Sequence, residues 1–73
     1  MTDVVDSDEL LRRIQRARAC AQQEEDTWRA RGAELRATDP EAARDAAVRT
    51  VAYEAVLRVL DEILTPGGRP ARS

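Results

Sequence analysis

The sequence predicts an all-α chain, an antiparallel two-helix hairpin that dimerises into a four-helix bundle with coiled-coil-like packing. Three observations lead there. Two long segments are rich in Ala, Arg, Glu, Gln and Leu, all strong helix formers. Asp39-Pro40 stands between them. The second segment is more apolar than one neighbouring helix can cover. The expected organisation is a lead-in over residues 1–6, a hairpin over 7–64 and a flexible tail over 65–73. Within the hairpin, one helix runs over about 7–37, a turn over 38–39 and a second helix over about 40–64.

The first helix opens on a capping signal. Asp6 followed by Glu9 has the spacing of a capping box, and Val5 with Leu10 has that of a hydrophobic staple. Asp8 and Glu9 suit the positive end of the helix dipole. Leu10, Ile14, Ala17, Ala21, Glu24, Trp28, Arg31 and Leu35 then recur at intervals of four and three, a seam weakened in its middle by alanine and Glu24. Gly32 costs about 1 kcal/mol inside a helix. The helix formers of Ala33–Arg36 are expected to carry the helix past it.

Asp39-Pro40 predicts the turn. An aspartate cap followed by proline at the first helical position leaves no N–H unsatisfied, whereas a proline inside one continuous helix costs roughly 3 kcal/mol. In the second helix Val48, Val51, Ala52, Ala55, Val56, Val59, Leu60, Ile63 and Leu64 form a broad apolar arc, with Thr50, Glu54, Arg58 and Asp61 expected on the wet side. A stripe of about 100° suffices for contact with one helix. The excess is expected to be covered by a second copy, through Val48, Ala52, Val56, Val59, Leu60 and Ile63. Thr-Pro-Gly-Gly after Leu64 stops the helix.

Size supports association. A chain of 73 residues buries only about 60% of the surface its unfolded form exposes, so a lone core is marginal. Disulfides, a metal or a second copy are the usual remedies. One cysteine, Cys20, forms no internal disulfide and fits a reducing, cytoplasmic setting. With no histidine, the chain offers no zinc set and no cofactor is expected. The acidic start MTDVVDSDEL lacks the apolar segment of a signal peptide, and no run approaches the ~20 apolar residues of a membrane span. All twelve basic residues are arginine, which with abundant alanine suggests the GC-rich coding of a bacterium or its phage.

Function is read by elimination. Without histidine or lysine, Cys20 has no evident base and is expected to pack inertly. Asp61 and Glu62 are adjacent and diverge on a helix, and Gly67-Gly68 follows a helix instead of opening one, so no catalytic or phosphate-binding set emerges. The expectation is a non-enzymatic protein–protein interaction module, an adaptor, regulator or assembly factor. Leu10, Leu11, Ile14 and Trp28 are the candidate partner contacts. The alternative is a nucleic-acid-associated regulator using Arg12, Arg13, Arg16 and Arg18, a stretch with no acid between Leu10 and Gln23. A net charge of −2 and the lack of surface aromatics weigh against it. Antiparallel alignment about the turn places Trp28 near Arg49 for a cation–π contact, and Tyr53 near Glu25 for a hydrogen bond.

Overall fold

The computed structural model describes residues 6–65. Two helices pack against each other, α1 (Ser7–Leu35) and α2 (Pro40–Leu64). Asp6 caps α1, its Oδ1 accepting from the Glu9 backbone N–H at 2.7 Å. The reciprocal half of the capping box is absent, because the Glu9 carboxylate turns to Arg12 and Arg13. Val5 and its staple lie outside the described residues. Asp39 caps α2, accepting from the Ala42 N–H at 3.1 Å, with Pro40 opening the helix.

Helix α1 ends at Leu35, two residues short of the expected boundary, and the bend occupies residues 36–39. Its cause is local: the Leu35 carbonyl accepts from both Thr38 N–H (3.1 Å) and Asp39 N–H (2.7 Å). That closes the last turn before the next helix begins.

The seam between the helices differs from the sequence reading on both sides. On α1 it runs through Ile14, Arg18, Ala21, Glu25, Trp28, Gly32 and Leu35, all buried or half-buried. Ala17 and Arg31 are exposed, so α1 is turned away from the expected seam. On α2 the seam is Ala43, Ala46, Thr50, Tyr53, Leu57, Leu60 and Leu64. Both series keep the alternating four-and-three spacing of helices packed knobs into holes. The core is small: Ala21, Ala46 and Leu57 are its buried apolar residues.

The wet side of α2 was therefore misassigned. Thr50 is buried, and Glu54 and Asp61 are half-buried against α1; of the four, Arg58 alone is exposed. Thr50 tolerates burial because its hydroxyl donates to the Ala46 carbonyl at 2.9 Å. The valines, in contrast, point outward.

Helix α1 passes through Gly32 unbroken, and the glycine faces α2. A Cβ built there would lie 3.4 Å from the Ala46 Cβ and 3.7 Å from the Ala43 carbonyl oxygen. The helices approach closely at the turn end because glycine meets alanine there.

Candidate interaction surface

Side-chain contacts set the helices in register. Arg18 meets Asp61 through two hydrogen bonds, Nε to Oδ1 at 2.5 Å and Nη2 to Oδ2 at 3.3 Å. The carboxylate raises the Arg18 pKa above its ordinary value, mainly through that hydrogen bond. Nearer the turn, Arg29 Nη2 donates to Glu25 Oε2 and Glu54 Oε2, each at 2.8 Å, and so ties the helices together. The Glu25 hydrogen bond is the chief cause of the raised Arg29 pKa. Glu25 is buried, and a buried carboxylate is costly unless paired. Its second oxygen accepts from Gln22 Nε2 at 2.8 Å. Gln22 and Arg29, and not the Tyr53 phenol, thus satisfy Glu25.

The opposite flank of the hairpin is held by stacking. Arg49 of α2 lies over the Trp28 ring at 4.7 Å, and Arg31 of α1 lies at 6.0 Å from its centroid. The expected Trp28–Arg49 contact is present. Trp28 is half-buried between the helices, so it serves the seam more than a free surface.

Seen from its end, α2 has two apolar stripes. One faces α1. The other, Ala52, Val56, Val59 and Ile63, lies about 100° further round the axis, on the flank where Arg49 and Arg31 cover Trp28, and Val48 lies beyond it on the back of the helix. Its large members are open, Val59 at 61% exposed, Ile63 at 51% and Val56 at 44%; Val48 on the back of the helix and Val51 on the other flank are open as well, at 67% and 61%. Leu60, grouped with them from the sequence, is half-buried in the inner seam instead. On α1 the same flank carries Ala17 and Cys20, both exposed, so the single chain does not pack the thiol. Leu10 and Leu11 are exposed near the start of α1, whereas Ile14 is half-buried at the seam.

The arginine cluster is less free than its sequence suggested. Arg12, Arg13 and Arg16 converge on Glu9 at 3.1, 3.0 and 4.0 Å, and Arg18 is committed to Asp61. The acid that balances the cluster lies just before it. Hydrogen bonds from Arg13 and then Arg12 hold the Glu9 carboxyl below its ordinary pKa.

On the other flank, near the turn, an open groove of about 500 Å³ lies between the helices, floored by Gly32, Ala33, Ala43 and Ala47. Arg36 and Arg44 stand at its edge. Among the described residues, no three His, Cys, Asp or Glu side chains gather as a metal site, and no helix is long and apolar enough to cross a membrane. No protein-family model, curated protein or solved structure matches the chain.

Proposed function

We propose that the protein is a small non-enzymatic interaction module, a regulator or assembly factor that works by helix packing and self-associates as a homodimer. One observation carries this reading: the apolar stripe of Ala52, Val56, Val59 and Ile63, with Val48 beyond it, is left open while α2 closes the hairpin with its other face. Contiguous exposed apolar surface on a small chain marks a docking face. The small core supports the same reading, since the three buried apolar side chains among the described residues do little to hold two helices of 29 and 25 residues. The arginine cluster supports a nucleic-acid role less well, because Glu9 and Asp61 already engage its members.

The test is to place Val56→Glu and Val59→Glu together and measure mass by light scattering and helicity by circular dichroism. Neither side chain belongs to the inner seam, so the expected result is loss of assembly, with helicity falling only as far as association supports it. An unchanged oligomeric mass would place the docking face elsewhere.

A further inference from the structure

Resting on that reading, we propose that the occupant of the open flank is a second copy of the chain, related by a twofold axis along the bundle so that both turns lie at the same end. Each helix then has two neighbours, both antiparallel: α1 packs on α2 of its own chain and on α2 of the second copy.

Three features of the flank select this arrangement. The first is spacing. On α2 the open stripe keeps intervals of four and three about 100° from the inner seam, which is how a helix meets two neighbours in a four-helix bundle. On α1, Ala17 and Cys20 continue that flank with small exposed side chains, against which valines can settle.

The second is level. Arg18 lies opposite Asp61, Arg29 opposite Glu54 and Gly32 close to Ala46, which fixes the heights of the helices. With turns at one end, the same heights hold between copies. Ala17 and Cys20 then meet Ile63 and Val59 of the second copy. Arg31 comes within about two or three residue rises, roughly 4 Å along the axis, of Asp45 of the second copy. Arg31 and Asp45 are opposite in charge; within its own chain Asp45 also accepts from Arg49 Nε at 3.4 Å, and Glu24 lies on the same flank of α1 between Cys20 and Arg31.

The third is area. A 25-residue helix is about 38 Å long, and two helices side by side present a face about 20 Å wide. Full overlap buries on the order of 1,500 Å² in total, the size of a stable interface. Sliding the copies so that only the apolar halves overlap, with turns at opposite ends, buries about half of that. This falls short of the roughly 1,000 Å² a specific interface needs.

The experiment measures the distance between spin labels on Thr38→Cys in a Cys20→Ala background, after light scattering has established the dimer. Turns at one end predict a separation of roughly 20–30 Å, about two helix diameters. A separation beyond about 40 Å, the length of a helix, would overturn the arrangement while leaving the interaction module standing. A chain that remains monomeric at 100-fold the working concentration would remove the second copy as occupant. As an independent arm, Arg31→Asp should weaken the dimer several-fold, and adding Asp45→Arg should restore it to within about twofold, as expected for an exposed pair. Equal weakening by the single and double variants would contradict the register.

Discussion

Arg18 and Asp61 stand 43 residues apart in the chain, yet their side chains join in a two-pronged ion pair across the helices. The pair lies beside Ala21 and Leu57 of the small core, at the end of the hairpin where no covalent turn holds the helices. Arg29–Glu54 does the same work nearer the bend. Together they select one register among the several that two alanine-rich surfaces permit.

The first prediction follows from that geometry. Arg18→Ala and Asp61→Ala should each loosen the open end, seen as faster amide exchange in the first half of α1 and the last turns of α2. The double variant should exchange little faster than either single one. Fully additive effects would mean that the two residues act separately.

Gly32 should accept a methyl group. A Cβ there would meet Ala46 at ordinary van der Waals distance, and helix propensity favours alanine by about 1 kcal/mol. Gly32→Ala is therefore expected to raise the unfolding midpoint. Gly32→Leu, with nowhere to put its branch, should lower it. A drop for both would mean that the helices cannot yield even slightly at the turn.

These contrasts separate what was legible in the sequence from what was not. The helix starts were legible, because Asp6, Asp39 and Pro40 act on their own neighbours and need no tertiary information. The face of α2 was not. Pattern alone reveals apolar arcs, and the valines outweigh the inner seam of Ala43, Ala46, Thr50 and Leu57 in hydrophobicity. What decides the inner seam is size and pairing. Trp28 needs small residues opposite it, and Arg18 and Arg29 need Asp61 and Glu54. Leu57 was overlooked for that reason, although its spacing from Ala46, Thr50, Tyr53 and Leu64 is regular. Glu25 was missed as a seam residue because the expected seam ran through its neighbour Glu24; buried at the actual seam, its carboxylate is satisfied by Gln22 and Arg29.

Adjacent residues Val56 and Leu57 give the sharpest check of that face assignment. Leu57 is 7% exposed and Val56 is 44% exposed. Leu57→Ala should cost about 2–5 kcal/mol as a core truncation, enough to melt so small a hairpin. Val56→Ala should leave the hairpin fold intact and weaken association instead. Urea unfolding at two protein concentrations distinguishes the two, since an association defect is relieved at the higher concentration and a core defect is relieved far less. Reversed behaviour of the pair would return the valine arc to the hairpin interior.

The start of α1 should respond to acid through Glu9. Its carboxyl pKa is lowered in the folded chain by hydrogen bonds from Arg13 and Arg12. A group whose folded pKa lies below its unfolded value contributes stability above the unfolded value, and that contribution disappears as pH falls through the folded one. Fraying of the first turns is thus expected as the pH drops from the ordinary glutamate range to below it. At neutral pH the contribution is fully present. Glu9 exposure and salt screening keep the effect small and local. The carbon chemical shift of the Glu9 carboxyl, followed by NMR from pH 7 to 2, should give a midpoint below the ordinary glutamate range, and Glu9→Gln should remove the acid-dependent fraying of residues 7–13. A Glu9 midpoint at or above the ordinary glutamate range would show that the arginines do not hold it in solution.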